Sequence, residues 1–82
     1  MKEVYTVSEK EVVREVMKMR GWSQTTLAEK AGFKSQSNIN GLLNNSIAGM
    51  RIDNLYRILH AMGCEIIVRD AMGSKKEWEI TL

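Results

Sequence analysis

The sequence has little cysteine or histidine and no long apolar stretch. Its one cysteine, Cys64, cannot close an internal disulfide, so nothing in the chain requires an oxidising compartment. No apolar run approaches the roughly 18 residues that a membrane-spanning helix needs, and the N-terminal residues lack the apolar stretch of a secretory signal. We therefore expect a cytoplasmic protein with no membrane partner.

The residue patterns of common enzyme chemistry are also missing. The chain contains no glycine-rich phosphate loop and no nucleophile paired with a base. Its one histidine, His60, lies in a predicted helix between Leu59 and Ala61, where a structural role is favoured over catalysis. Cys64 has no second ligand at metal-binding spacing and is interpreted as a small buried hydrophobe. The sequence therefore predicts no catalytic residue, no metal and no cofactor.

Positive charge is concentrated in the middle of the chain. The 82 residues are enough for one small domain, have a formal net charge of +2 and are 44% hydrophobic. Residues 18–57 contain six basic and two acidic residues, a net of +4, whereas each flank has a net of −1. This distribution favours an anionic partner such as nucleic acid, and the alternative is a solvated, lysine-rich surface. A core this small would gain from oligomerisation.

Local signals at helix ends predict two helices in the first part of the chain. Ser8 and Glu11 have the spacing of a capping box, which begins a helix, and Gly21 ends that helix. Ser23 then caps a second helix, after which Gly32 supplies the left-handed backbone of a turn. The apolar residues at helical spacing that are predicted to face inward are Val12, Val13, Val16, Met17, Leu27, Ala28 and Ala31.

Two further helices are predicted after this turn. The third begins after Ser35, with Ser37 as the alternative cap, and runs to about Asn44. Residues 44–50 are rich in Asn, Ser and Gly and predict a loop. A fourth helix follows and ends at Gly63. The predicted inward residues are Ile39, Leu42 and Leu43 in the third helix and Ile52, Leu55, Ile58, Leu59 and Met62 in the fourth.

The last part of the chain predicts a β-hairpin. Apolar and polar residues alternate over residues 64–69 and 77–82, and the polar residues 70–76 between them suit a hairpin loop. A lone two-stranded hairpin is marginally stable, so the strands must pack on the helices or pair with another chain. We expect a two-fold homodimer, and the alternative is that the hairpin covers the core of its own chain. The predicted dimer-interface residues are Ile66, Val68, Trp78, Ile80 and Leu82.

A group of residues at fixed spacing spans the second and third predicted helices. Its members are Gln24, Leu27, Ala28, Gly32, Ile39 and Leu42. These residues resemble the helix-turn-helix of the phage repressor and Cro family, also called the xenobiotic-response-element family, and the resemblance extends over residues 8–62. The interval from Gly32 to Ile39 is seven residues, one more than is usual in that family.

The resemblance implies both a fold and a function. The fold would be mainly α, a lambda-repressor-like helix-turn-helix bundle of four or five short helices with a C-terminal β-hairpin. Residues 1–63 would form the DNA-binding part and residues 64–82 a dimerisation element of the same domain. The function would be sequence-specific binding of double-stranded DNA by a small dimeric repressor, with its third helix in the major groove of a near-palindromic operator. Two alternatives stay open: an antitoxin that binds a toxin partner and represses its own operon, or a protein-interaction module without DNA binding.

Outward positions on the third helix are predicted to read bases. Gln and Asn side chains can each bind adenine N6 and N7, so we expect A·T pairs in the operator. Gly41 either exposes bare backbone to the DNA or marks a place where the helix bends or frays. The predicted base-reading residues are Gln36, Ser37, Asn38, Asn40, Gly41 and Asn44.

Other residues are predicted to bind the DNA backbone, which requires only amide donors and positive charge. The resemblance assigns a phosphate contact to Gln24, at the start of the second helix. We interpret Lys30 and Arg57 as ordinary solvated charges and Arg20 as a support for the turn. The further phosphate-binding candidates are Lys34, Ser35 and Arg51.

Overall fold

The chain folds into a helical bundle followed by a β-hairpin. The computed structural model describes residues 4–44 and 49–82, so part of the predicted loop at residues 44–50 lies outside the described residues. The elements in chain order are α1 (Glu9–Arg20), α2 (Gln24–Ala31), α3 (Gln36–Asn44), α4 (Ile52–Ala61), β1 (Ile66–Arg69) and β2 (Glu77–Ile80). The predicted mainly α fold with a C-terminal hairpin is confirmed. Within the described ranges, no helix is long and apolar enough to cross a membrane.

The predicted caps fix the ends of the first two helices. The Glu11 backbone N–H donates to Ser8 Oγ at 3.3 Å and so begins α1, which Gly21 ends with φ of +70°. The backbone N–H of Thr26 donates to Ser23 Oγ at 3.2 Å at the start of α2. Gly32 ends that helix with φ of +79°. These boundaries therefore follow from local sequence, because each cap satisfies a backbone group that the helix itself leaves unpaired.

The hydrophobic core lies between the four helices. Each helix contributes one completely buried side chain, and these are Val13, Leu27, Ile39 and Ile58. The predicted inward positions of α1, α2 and α3 are buried or packed against this core, as predicted. Ile52 is an exception, because 48% of its surface is exposed. Ile52 is the first residue of α4. The helical pattern predicts that it lies on the apolar face of this helix, but that face meets the core only from the next turn onwards.

The hairpin is shorter than its alternating pattern predicted. Ile66 pairs with Ile80 and Val68 with Trp78 in an antiparallel register, while residues 64–65 and 81–82 lie outside the strands. The Asp70 backbone N–H donates to the Lys76 carbonyl at 2.8 Å and closes the loop. The loop is therefore continuous with the ladder of the two strands.

One carboxylate organises the hairpin loop. Asp70 accepts hydrogen bonds from the Ser74 hydroxyl at 2.6 Å, the Met72 N–H at 3.0 Å and the Ser74 N–H at 3.2 Å. The hydrogen bonds from Ser74 and Met72 hold the pKa of Asp70 below its usual value. Because the folded-state pKa is lowered, this contribution to stability is present at neutral pH and is lost as the pH falls through that pKa.

The two ends of the hairpin differ in burial. Ile66 packs against the helical core, and Ile80 is half-buried. Val68 and Trp78, on the same face of the hairpin, are 48% and 53% exposed, and Leu82 is 65% exposed. The hairpin therefore covers its own core at one end only and leaves an apolar face uncovered at the other.

Candidate nucleic-acid interface

Three amide side chains form a cluster on the exposed surface where α2 meets α3. Gln36 Nε2 donates to Gln24 Oε1 at 2.8 Å, and Asn40 Nδ2 approaches the same oxygen at 3.4 Å. Gln24 and Gln36 are the first residues of their helices, and Asn40 lies one turn further along α3. The sequence predicted a phosphate contact for Gln24 and base contacts for the other two residues, but not the hydrogen bonds that join them.

The hydrogen bonds within the cluster leave some of its donors and acceptors unused. Gln36 Nε2 has two N–H groups, and one of them donates to Gln24. The second N–H and the Oε1 of Gln36 match the N7 acceptor and the N6 donor of adenine. Gln24 is the first residue of α2, at the helix end where backbone amides attract a phosphate. The cluster therefore joins a side chain that is predicted to read a base to one that is predicted to bind a phosphate.

The middle of the outward face of α3 is open. Ser37 and Gly41 are exposed and line a shallow groove beside Asn54 of α4. A Cβ at Gly41 would meet no atom within 4 Å, so packing within the chain does not require glycine there. Because α3 continues to Asn44, the helix does not end or fray at Gly41.

Asn38 and Asn44, two further predicted base-reading residues, also make hydrogen bonds within the chain. Asn38 Oδ1 accepts from the Ser35 backbone N–H at 3.1 Å and from the Ser35 hydroxyl at 3.3 Å. Asn38 thus reaches back to cap α3, which begins after Ser35 and not after the alternative cap Ser37. Asn44 Oδ1 accepts from Arg14 Nη2 at 3.3 Å, and the same nitrogen donates to the Leu43 carbonyl at 2.7 Å. Arg14 therefore caps the end of α3, a role that its sequence position did not indicate.

The predicted phosphate-binding cations lie on the surface. Lys34 is exposed in the turn between α2 and α3. Arg51 forms an ion pair with Asp53 at 3.1 Å, in which the two side chains are 79% and 55% exposed. An ion pair this exposed contributes little to stability, so Arg51 can exchange Asp53 for a phosphate at small cost. Lys30 Nζ lies 5.7 Å from the centre of the Trp22 ring.

Two arginines that the sequence assigned to other roles join separate parts of the fold. Arg57 Nε donates to the Ala31 carbonyl at 2.7 Å, and its Nη2 donates to the Gly32 carbonyl. Its guanidinium also lies 4.2 Å from the centre of the Phe33 ring. Interpreting Arg57 as an ordinary solvated charge is therefore wrong, because it holds the turn between α2 and α3. Arg20 donates to the Met62 carbonyl at 3.1 Å and thus supports the end of α4 instead of this turn.

Replacing Arg57 by alanine is expected to lower the free energy of unfolding by about 1–3 kcal/mol, because charge-assisted bonds to two helix-end carbonyls are lost. Urea denaturation measures this change. Lys30→Ala, which removes a cation that makes no hydrogen bond to the turn, is the matched control and should change stability by less than about 0.5 kcal/mol. Equal urea midpoints for the Arg57 variant and the unmodified chain would contradict the role assigned to Arg57.

Comparison with known proteins points to the same segment of the chain. A family model described as helix-turn-helix matches residues 13–68, which include all of α2, α3 and α4. No curated protein matches the chain significantly. The matched region contains the amide cluster and both of its helices.

Proposed function

The chain belongs to the helix-turn-helix family of DNA-binding regulators of the Cro and repressor type, and on that premise we propose that it is a dimeric repressor of a near-palindromic operator. Its α3 lies in the major groove, which is about 12 Å wide and admits one α-helix. A small domain bound at an operator represses by occupying the site, which requires no further surface on the protein.

The amide cluster is the observation that supports sequence-specific reading. The hydrogen bond from Gln36 to Gln24 fixes the direction of the Gln36 amide before DNA arrives. A side chain that is already oriented loses less entropy on binding than a free one. Gln36 therefore reads adenine, Asn40 reads a neighbouring position, and Gln24 and Lys34 bind the phosphates on either side of the groove.

Selection of bound duplexes from a random DNA pool tests this proposal. We expect enrichment of two A·T-containing half-sites whose centres lie about 10–10.5 base pairs apart, the spacing of a two-fold dimer on one face of the duplex. Failure to enrich or shift any DNA at low salt would contradict DNA binding and favour a protein-interaction module. Enrichment of one unpaired half-site would contradict the dimer.

The exposed hairpin face also supports a second candidate, an antitoxin that represses its own operon. In that case Val68 and Trp78, which are 48% and 53% exposed, bind a toxin protein. The two candidates differ in the purified chain without DNA. The repressor dimer sediments as two copies at micromolar concentration, whereas a hairpin reserved for a toxin leaves the chain monomeric.

A further inference from the structure

Among the described residues, the two strands of the hairpin pair only with each other, so each has one free edge. The backbone determines which residues each edge presents. Asp70 donates to Lys76 across the hairpin, and Val68 and Ile66 form the next alternate pairs of the register. In an antiparallel pair the hydrogen-bonded positions alternate. The backbone groups of Ile66 and Val68 therefore point towards β2. The residues whose backbone groups point away from β2, along the free edge of β1, are Glu65, Ile67 and Arg69.

The free edge of β2 repels a second copy of itself. Its outward backbone groups belong to Glu77 and Glu79, by the same alternation. An antiparallel two-fold pairing centred on either residue places that glutamate opposite itself. Centring the pairing on Trp78 places Glu77 opposite Glu79 twice. Each of these three registers therefore brings like charges face to face, which destabilises a sheet.

The free edge of β1 is complementary to itself. We propose that two copies pair β1 to β1 in an antiparallel arrangement, with the two-fold axis at Ile67, to form a four-stranded sheet. This register places Glu65 opposite Arg69 of the second copy, twice. Centring the pairing on Ile66 or Val68 instead loses both of these ion pairs. The inference specifies the interface of the proposed repressor dimer and rests on that proposal.

The same register covers the exposed apolar face of the hairpin. Residues directly opposite in a sheet lie on one face, so Val68 of one copy lies beside Ile66 of the second copy. On this face, each row across the sheet then contains four apolar side chains, Ile80 and Ile66 from one chain followed by Val68 and Trp78 from the other. Ile66 packs against its own helical core. In the proposed sheet, the exposed Val68 and Trp78 of one copy therefore lie beside the core of the other copy and become covered.

A like-charge contact on the opposite face also favours this partner. Glu65 and Glu79 lie close enough to hydrogen bond, and this contact together with their mutual repulsion raises the pKa of Glu79. His60, on α4, has the opposite effect on the pKa of Glu79. In the proposed sheet, Arg69 of the second copy lies directly opposite Glu65 and supplies a permanent positive charge beside the two carboxylates.

Charge reversal at the seam tests the interface without DNA. Glu65→Arg places two arginines opposite each other at both ends of the pairing, and sedimentation equilibrium should show a dimer Kd raised about tenfold or more. The variant removes the repulsion between residue 65 and Glu79, so its own fold is retained. Arg69→Glu should weaken the dimer at least as much, because it also places a glutamate opposite Glu77 in its own hairpin. Combining Glu65→Arg with Arg69→Glu restores opposite charges across the seam and should give a Kd lower than that of either single variant.

Glu29→Arg is the matched control. It makes the same change of charge on an exposed residue of α2, outside the hairpin, so the dimer Kd should stay within about threefold. Charge reversal at residue 65 without effect, no recovery in the double variant, or a monomer at all concentrations would overturn the proposed sheet. If DNA selection yields paired half-sites but charge reversal at residue 65 leaves the dimer Kd unchanged, the repressor proposal stands and only this interface is rejected.

Discussion

Replacing Ile39 by alanine is expected to remove about 2–5 kcal/mol from the free energy of unfolding. Ile39 is completely buried and belongs to the same core cluster as Leu27 and Ile58. The substitution removes apolar contacts and leaves a cavity that the short helices can fill only in part. Since a small domain has about 5–15 kcal/mol of stability in total, this loss is a large fraction of it, and the urea and thermal midpoints should fall well below those of the unmodified chain. Thermal and urea denaturation followed by circular dichroism measure the change.

Gly41→Ala, on the same helix, is the control and should have the opposite sign. The new methyl group meets no atom within 4 Å, and alanine in a helix interior gains about 0.5–1 kcal/mol over glycine. The variant should therefore unfold at a higher urea concentration than the unmodified chain. A stability loss at Gly41 as large as that at Ile39 would show that α3 is held by its backbone and not by its buried face.

Most of the fold is predictable from the sequence because its determinants are local. Ser8 and Ser23 accept from the backbone three residues later, and Gly21 and Gly32 adopt the left-handed conformation that ends a helix. The buried faces follow from apolar residues at helical spacing, since one face of each helix must meet the same core. The amide residues of the candidate interface could be named in the same way, as the polar positions opposite the buried face of α3.

The contacts that the sequence did not predict join residues far apart along the chain. Arg57 binds carbonyl groups 25 and 26 residues away, and Arg14 binds a carbonyl 29 residues away. A long basic side chain on a solvated face has the same local pattern whether it points into water or caps a neighbouring helix. The capping role of Asn38 was not predicted for a related reason. A side chain at the third helical position can either face outward or reach back to the cap.

The extra residue in the turn between α2 and α3 is compatible with the fold for a reason visible only in the structure. Arg57 donates to the carbonyls of Ala31 and Gly32 and stacks on Phe33, so the beginning of the turn is held by α4. Ser35 and Asn38 close its other end by hydrogen bonding to each other. With the lengthened turn held at both ends, Gln36 is the first residue of α3 and hydrogen bonds to Gln24.

Replacing Gln36 by alanine is expected to weaken binding to the selected operator by about 1–3 kcal/mol and binding to random DNA much less, because the amide reads a base edge. Gln24→Ala should weaken both, since it removes a phosphate donor and the acceptor that orients Gln36. The double variant should lose less than the sum of the two single losses, by about 0.5 kcal/mol or more, because Gln24 acts partly through Gln36. Fluorescence anisotropy with operator and random duplexes measures the Kd of the unmodified chain, the two single variants and the double variant.

Lys34→Ala separates anchoring from reading in the same assay. Its side chain is exposed in the turn, and loss of one phosphate contact should weaken operator and random DNA by a similar factor while lowering the salt dependence by about one ion. Gln36→Ala should leave that salt dependence unchanged, because a neutral amide displaces no counterion. If Gln36 and Lys34 variants lose operator and random binding in the same ratio, α3 does not read bases through Gln36. If the losses at Gln24 and Gln36 are strictly additive, the hydrogen bond between them does not orient the reading amide.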